Sequence, residues 1–261
     1  MARSPSVRRG AASRRNARAI ARYRLVQDGL TNRIEKGEYA PGDRIPTEKE
    51  LARLYGVSVG TVKTALLQMV HQGLLHRIQG KGSFVSGSLI GRDQLRLYHF
   101  VEGFDDDDAP LQVRFLALHA GMRDLAAARW LRLKSGEPMF RIDRVFAMGA
   151  TPVVWTSSFL PQRLFAGLEQ LPREAFETKP FYRLVEERYR LPTLRYQEMF
   201  SAVLSDGESG PPLAVPAGFP LLKIEMLALS FRDRPIEYRL SLCRTDRARL
   251  FRLPLRAPSS A

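Results

Sequence analysis

Small, hydroxyl-bearing and cationic side chains are concentrated between Gly56 and Leu66, in the stretch GVSVGTVKTAL. They suit a helix surface that must approach a nucleic acid closely, because small groups fit into the major groove while hydroxyl and ammonium groups meet phosphates or base edges. For any other helix they are costly choices, since glycine, valine and threonine are poor helix formers. The residues predicted to contact DNA here are Ser58, Val59, Gly60, Thr61, Lys63 and Thr64.

Residue types that usually carry catalysis or bind metals are sparse and scattered. Cys243 is the only cysteine, so the chain can form no intrachain disulfide and offers no cysteine cluster for zinc. The acidic run Asp105–Asp108 favours a solvated loop over a cation site, because adjacent carboxylates do not converge easily on one ion. No metal-ligand spacing or catalytic motif includes the four histidines, which are His71, His76, His99 and His119. We therefore predict no metal, no cofactor and no enzymatic centre.

Positive charge is concentrated in the first third of the chain. The formal net charge is +14, and residues 1–90 hold 16 lysines and arginines against 6 acids. Such a segment favours a polyanionic partner, nucleic acid before membrane. Eight arginines and no acid in residues 1–27 indicate a flexible basic arm, assigned to 1–18, rather than a targeting peptide. The longest uncharged run, Val145–Gln162, is broken by turn residues and predicts two strands, so we expect a soluble cytoplasmic protein with no membrane partner.

Two helices are predicted before the candidate DNA-contacting stretch. The first runs from about Ala19 to Gly37. Thr47 and Glu50 have the spacing of a capping box, which predicts a short second helix closed by Gly56. The apolar face of the first helix is formed by Ile20, Tyr23, Leu25 or Val26, Leu30 and Ile34.

A third helix contains most of the candidate DNA-contacting residues. Ser58 is placed to cap it, and it runs to about His71. Together with the second helix and the bend at GVS it forms a predicted helix-turn-helix. The alternative is a helix packed on both sides within a larger core. The helix has a buried face with the spacing i, i+3, i+4, i+7, i+8, which comprises Val62, Ala65, Leu66, Met69 and Val70.

The segment LLHRIQGKGSFVSG, which follows, predicts a tight hairpin that would form a wing beside the third helix. Its expected apolar strand residues are Leu75, Ile78, Phe84 and Val85. Gly80 and Gly82 allow a tight turn with close backbone approach to a partner. Lys81 between them places a positive charge at the tip, where a phosphate would lie. We predict that all three residues contact DNA.

The remainder of the chain predicts an α+β domain. Its elements alternate as strand, helix, two strands, helix, strand, short helix and two strands, which indicates a mostly antiparallel sheet with flanking helices. The first helix of this order is predicted at DLAAARWLRL, residues 124–133, and the strand after it at MFRIDRVFAM, residues 139–148. Four aromatic residues are interpreted as core residues rather than as a cofactor-binding group, namely Tyr182, Tyr189, Tyr196 and Phe200. The predicted boundaries are a basic arm at 1–18, a winged helix-turn-helix at 19–86, a linker and first strand at 87–110, an effector-binding domain at 111–256 and a tail at 257–261.

GEYAPGDRIPTEKELARLYGVSVGTVKTAL, followed by GKGSFV, closely resembles the signature of the GntR family of bacterial winged-helix regulators over residues 20–86. The resemblance implies that Lys49 contacts the DNA backbone and that Lys63 contacts bases, where the family has arginines. Thr61 matches the family threonine. Val59 stands where the family has another arginine, and its hydrocarbon side chain could contact a thymine methyl group instead of guanine. The wing glycine of the family corresponds to Gly80 or Gly82.

Residues 95–253 resemble the UTRA effector domain of the HutC-type branch, through the pattern L-x-L-x-x-G-E-P and a final strand PIEYR. The resemblance implies a chorismate-lyase-like fold that holds a small molecule, with Arg144 binding an anionic group and Glu237 facing the ligand. Phe146 and Thr156 replace charged residues of sugar-phosphate-binding members. With Ser158 nearby, the expected effector is smaller or more apolar and carries one carboxylate for Arg144.

Together the two resemblances imply a ligand-responsive transcription regulator that represses by binding a two-fold-symmetric operator as a homodimer. Such a protein would be cytosolic and associated with the nucleoid. Two alternatives remain. One is a lyase-like enzyme, because fold does not determine function. The other is a nucleic-acid-binding protein indifferent to sequence.

Overall fold

The structure is a computed structural model that describes residues 22–87, 99–101, 111–177, 181–247 and 249–251. The chain divides into two compact units, with the boundary between Gly87 and Ser88. The predicted basic arm, the C-terminal tail and most of the predicted linker lie outside the described residues.

The N-terminal unit contains three helices followed by a two-stranded hairpin. Helix α1 covers residues 22–35 of the described chain. It is followed by α2 at Glu48–Tyr55 and α3 at Val59–His71. Strands β1, at Leu75–Ile78, and β2, at Gly82–Val85, pair antiparallel. This order confirms the predicted winged helix-turn-helix.

Both helices of the helix-turn-helix begin at the predicted caps. The hydroxyl of Thr47 accepts from the backbone N–H of Glu50, whose carboxylate accepts from the N–H of Thr47 at 2.7 Å, which completes the capping box. Gly56 ends α2 with a left-handed φ of 62°. The hydroxyl of Ser58 accepts from the N–H of Thr61 at 3.2 Å and starts α3. These bonds satisfy amide groups that a helix start otherwise leaves without partners.

The exposed fractions of the apolar side chains in this unit show which of them face the core. Val26 on α1 is fully buried, whereas Leu25 is 55% exposed, which resolves the alternative in the predicted apolar face. Four of the five predicted α3 positions are buried, and Val70 is half-buried. Ile78, which was expected to be an apolar strand residue, is 39% exposed at the end of the hairpin. The buried α3 positions are Val62, Ala65, Leu66 and Met69.

The C-terminal unit is built on a six-stranded antiparallel sheet. Its strands are β4 at Leu111–Met122, β5 at Met139–Met148, β6 at Thr151–Pro161, β7 at Arg195–Leu204, β8 at Pro220–Leu229 and β9 at Pro235–Cys243. The spatial order is β4-β5-β6-β9-β8-β7. A separate antiparallel pair joins β3, at His99–Val101, to β10, at Arg249–Phe251. The mostly antiparallel α+β class is therefore confirmed.

In the described part of this unit, three short α-helices accompany the sheet, namely α4 at Leu125–Trp130, α5 at Phe181–Tyr189 and α6 at Gly210–Leu213. We expected α4 to extend to Leu133, but it ends at Trp130, and Arg132 adopts a positive φ of 53°. Three short 3-10 segments lie between β6 and α5, at Gln162–Leu164, Leu168–Gln170 and Arg173–Phe176.

The two faces of the sheet carry different cores. Helix α5 packs on one face, where Phe181 and Val185 join Ile142 of β5 and Ala228 of β8 in the largest apolar cluster. Leu213 of α6 belongs to a cluster on the other face, with Val145, Trp155, Leu221 and Leu242. We call the first the α5 face and the second the α6 face.

Candidate DNA interface and effector site

The start of α3 exposes the residues predicted to contact DNA. Val59 is 43% exposed, Gly60, Lys63 and Thr64 are also exposed, and Thr61 is half-buried. All lie on the N-terminal half of the second helix of the helix-turn-helix, the part that enters the major groove in such proteins.

Hydroxyl groups on this surface are already used within the helix. The Ser58 hydroxyl oxygen lies 2.9 Å from that of Thr61 and also accepts the backbone bond that caps α3. The Thr64 hydroxyl donates to the carbonyl of Gly60 at 3.1 Å. These bonds orient the hydroxyl groups locally and leave less of their hydrogen-bonding capacity for a partner.

The remaining predicted contacts come from α2 and the wing. Lys49 on α2 is exposed, as are Gly80 and Lys81 at the tip of the wing. Gly80 and Gly82 have φ values of +73° and +115°, a region that side chains disfavour. A Cβ atom at Gly82 would also lie 3.1 Å from Nε of Arg44, whereas nothing lies near Gly80. The backbone conformation favours glycine at both positions, and Gly82 is further restricted by Arg44, whereas the space beside Gly80 at the tip is open.

Sequence reasoning missed a cleft of about 360 Å³ between the start of α2 and the wing. Arg44 and Arg77 both line it, together with Glu48. Arg77 donates to the carboxylate of Glu48 at 2.9 Å. The alternation of strand β1 could have indicated Arg77, but only the fold brings it to Glu48, which is 29 residues away.

The structure brings the four predicted effector-binding residues to the α5 face. Arg144 on β5 lies directly opposite Thr156 on β6, and Ser158 on β6 lies opposite Arg239 on β9. Glu237 is two residues before Arg239, and residues two apart on a strand share a face. All four predicted residues are buried, and Arg144 is only 4% exposed.

A buried arginine, a half-buried arginine, a carboxylate and a phenol form an ionic cluster there. Arg239 donates to the carboxylate of Glu237 at 3.1 Å and also to the hydroxyl of Tyr182 on α5. The guanidinium of Arg144 lies 5.0 Å from the ring centre of Phe181. Glu237 is the carboxylate bonded to Arg239, and the charge of Glu198 on β7 also acts on Arg239.

The pKa values of Arg144 and Arg239 are shifted in opposite directions. Burial lowers the pKa of Arg144 to about 10, and the nearby charge of Arg239 acts in the same direction. Burial alone would also lower the pKa of Arg239, but Glu237 and Tyr182 outweigh it and raise that pKa. In the part of the chain that the structure describes, Nε of Arg144 and the hydroxyls of Thr156 and Ser158 are buried with no hydrogen-bond partner. Such groups usually find a partner in proteins, so the site has the polar atoms to hold one.

Sequence comparison supplies the family. Residues 111–249 match the UTRA domain, and residues 22–85 match the gntR family of bacterial regulatory proteins. The chain belongs to the GntR family. It is a DNA-binding transcription regulator with a UTRA effector domain.

Relatives within the GntR family cover most of the chain. The HTH-type transcriptional regulator YurK of Bacillus subtilis is 25% identical, over 89% of this chain and 95% of its own length. The repressor NagR of the same species is 27% identical, over 86% and 91%. The mannosyl-D-glycerate transport/metabolism system repressor MngR of Escherichia coli is 26% identical, over 86% and 92%. These relatives are regulators, so the family assignment does not favour a lyase-like enzyme.

A solved GntR-family structure matches the C-terminal unit. It is the ligand-binding domain of a protein assigned to this family from Bordetella bronchiseptica, with 28% identity and a TM-score of 0.55. The match covers 61% of this chain and 98% of that domain.

Within this GntR-family chain, sequence reasoning missed Arg239 and the polar role of Tyr182. Tyr182 is buried, as a core aromatic should be, but its hydroxyl also accepts from Arg239 and donates to Sδ of Met226 at 3.8 Å. The core prediction was wrong for Phe200, which is 49% exposed on β7. The signal for Arg239 was its position two residues after Glu237, which places both on one face of a strand. No comparable signal links Tyr182 to either residue.

A second cluster of polar side chains lies on the α6 face. It contains a serine, a histidine and an aspartate, the residue types of a catalytic triad, but not the geometry of one. Ser157 donates directly to the carboxylate of Asp143, which also accepts from Arg141 at 3.0 Å. His119 lies 3.8 Å from Asp143 and is not placed between the serine and the acid. A triad requires the histidine to bridge them. Among the described residues, no group of histidine, cysteine or acidic side chains is placed to hold a metal ion.

No helix within the described ranges is long and apolar enough to cross a membrane.

Proposed function

We propose that this GntR-family regulator represses transcription by binding a two-fold-symmetric operator as a homodimer and that a small carboxylate on the α5 face controls this binding. The observation that carries the effector assignment is the buried guanidinium of Arg144, whose Nε has no described partner beside the similarly buried hydroxyls of Thr156 and Ser158. Repression is supported by relatives that are named repressors.

For the DNA side, the proposed contacts combine cations and close-approach residues. Lys49 and Lys81 would meet phosphates, and Lys63 would reach base edges or phosphate. The start of α3 would contribute Ser58, Val59, Gly60, Thr61 and Thr64, and the wing would contribute Gly80 and Gly82. A protein bound to the bacterial chromosome in this way would be cytosolic and associated with the nucleoid.

The charge of the effector follows from the ionic cluster. Arg239 already pairs with Glu237, which leaves the charge of Arg144 without a carboxylate of its own among the described residues. A single carboxylate bound to Arg144 would balance that charge and could accept from Thr156 and Ser158. A doubly charged phosphate would need another cation, and Phe146 occupies the next position on this face of β5. A monocarboxylate is therefore the preferred class.

Control of DNA binding requires reciprocal coupling. The effector can release the operator only if it binds the free protein more tightly than the DNA-bound protein, and operator DNA must then weaken effector binding by the same factor. Coupling of this kind typically amounts to about 5- to 150-fold.

Two measurements test the proposal. The first is selection of duplexes from a random pool by the wild type, Lys63→Ala and the control Arg163→Gln, which removes a half-exposed charge in the C-terminal unit. We expect a palindromic site that the wild type and the control retain and Lys63→Ala loses. Absence of any enriched site would support binding that is indifferent to sequence.

The second measurement is thermal unfolding with a panel of monocarboxylates, sugar phosphates and neutral sugars, using wild type and Arg144→Met. A carboxylate that stabilises the wild type but not the variant supports the assignment, since a ligand specific for the native state raises the melting temperature. Stabilisation only by a phosphate or a neutral sugar would refute it.

A further inference from the structure

The outward side of α3 carries a short apolar stripe that the family match does not explain. Gly60, Thr64 and Leu67 are spaced i, i+4 and i+7, so they lie on one face of the helix. Leu67 is 49% exposed, and Gly60 and Thr64 are exposed as well. This face points away from the buried side of α3, which contains Val62 and Leu66. We call it the outer stripe.

Thr64 contributes mainly a methyl group to the outer stripe. Its hydroxyl donates to the carbonyl of Gly60 at 3.1 Å, one helical turn earlier. The donor hydrogen is therefore used inside the helix, which is a common arrangement for threonine in helices. An approaching partner meets the methyl group and an oxygen that can only accept.

Gly60 has no reason within the fold to be glycine. A Cβ atom at this position would have no neighbour closer than the hydroxyl of Ser58 at 3.8 Å, which is ordinary contact. Unlike Gly56 or Gly82, it does not have a positive φ. Alanine is the better helix former, by up to about 1 kcal/mol at a position inside a helix. A glycine kept at such a position is expected where a partner must approach the backbone closely.

We propose that the outer stripe reads thymine methyl groups in the major groove of the operator, with Gly60 allowing the approach and Thr64 and Leu67 making the contacts. Thymine is the base that presents a methyl group there. The stripe lies on the helix that carries Lys63, within the DNA-binding unit, which favours DNA over an apolar protein partner. The inference rests on the proposed binding of a specific operator.

The test replaces each operator thymine by deoxyuridine, which removes one methyl group and leaves the hydrogen-bonding pattern and the phosphates unchanged. The affinity of the wild-type protein for each duplex is measured. We expect it to fall about fourfold for each contacted methyl group that is removed, since burying one such group contributes about 0.8 kcal/mol. Affinity should fall at two or more thymine positions in each half-site.

Two variants of Thr64 separate its methyl group from its hydroxyl. Thr64→Val keeps a methyl group and removes the hydroxyl, so its affinity should still fall when deoxyuridine replaces the contacted thymine. Thr64→Ser keeps the hydroxyl and removes the methyl, so it should lose about fourfold and no longer respond at one thymine. Leu67→Ala should lose the response at a different thymine. Circular dichroism melting of each variant verifies that α3 is folded.

Three results would overturn the inference. Deoxyuridine substitution could leave the operator affinity of the wild type unchanged while the protein still prefers its operator to a scrambled duplex. In that case the stripe does not read methyl groups, although the proposed function stands. If Thr64→Ser retains affinity and Thr64→Val loses it, the hydroxyl is the reading group. If the wild type does not distinguish the operator from the scrambled duplex, both the proposed function and the inference fail.

Discussion

Arg144 lies directly opposite Thr156 in the β5–β6 ladder, and within the described chain neither Nε of the arginine nor the threonine hydroxyl has a hydrogen-bond partner. A buried arginine that lacks a carboxylate of its own destabilises the free protein, because the charge has left water without full compensation. A bound ligand that accepts from both groups would supply the missing hydrogen-bond partners.

Replacing Arg144 by methionine should therefore affect the stability of the free protein and its stabilisation by the effector in opposite directions. We expect the free energy of unfolding without ligand to rise by about 1 kcal/mol, since apolar replacements of buried charges are often stabilising. Stabilisation by the effector should be lost. Urea unfolding with and without ligand measures both effects, and a loss of stability larger than about 2 kcal/mol would mean that Arg144 is structural.

Glu237→Gln should have the opposite effect on stability. It leaves the half-buried guanidinium of Arg239 and the buried guanidinium of Arg144 without the carboxylate of Glu237. We expect a loss of about 3–5 kcal/mol, as when one partner of a buried pair is removed. The control is Glu187→Gln, which breaks an exposed i, i+4 pair with Arg183 and should leave the urea midpoint nearly unchanged. Equal shifts for the two variants would contradict the assignment of Glu237.

Gly60→Ala should stabilise the winged helix-turn-helix and weaken its function. The helix gains about 1 kcal/mol from the higher propensity of alanine, and the structure has room for the added Cβ atom. Operator affinity should fall at least tenfold, because the methyl group would hold the helix away from the base edges. Thermal melting and gel-shift titration of the same preparation measure the two effects. Unchanged affinity would show that close approach at Gly60 is not needed.

Substitutions of Ser58 can separate helix capping from DNA contact. Ser58→Ala removes the acceptor for the N–H of Thr61 and should destabilise the unit by about 1 kcal/mol. Ser58→Asp preserves capping, so the melting temperature should remain close to that of the wild type. Its negative charge faces DNA phosphates, and operator binding should weaken most strongly at low salt. If Ser58→Asp bound the operator as tightly as the wild type, Ser58 would lie outside the interface.

The single cysteine should be unreactive in the folded protein. Cys243 is 1% exposed, and burial raises the pKa of its thiol to about 12. Alkylation by iodoacetamide at pH 8 should be very slow in buffer and rapid in denaturant, because the thiolate is the nucleophile. The unfolded chain ionises first as the pH rises from about 9 to about 12, so this group should reduce stability across that interval. Rapid labelling of the native protein, measured by mass spectrometry, would contradict this burial.

Short-range features of the sequence were sufficient to predict most of the secondary structure. The capping box at Thr47, the cap at Ser58 and the glycines of the wing act through bonds or φ values within a few residues, so they can be recognised without the fold. Strand β5 has the predicted bounds of Met139–Met148. The helix that was predicted too long, α4, ends near Arg132, where the backbone adopts a positive φ that its residue type does not signal.

Arg144, Thr156, Ser158 and Glu237 could be placed on one sheet face by a family resemblance and the two-residue period of strands. What only the tertiary structure decided is that Arg239 reaches Tyr182, which is 57 residues away on α5, and that the edge of β6 opposite β5 pairs with β9, although β7 and β8 are nearer in sequence. These contacts depend on the packing of a helix against a completed sheet, and packing energies are shared among many distant residues. The sequence by itself determined the local elements and the DNA-binding unit, whereas the charge balance around Arg144 exists only in the folded domain.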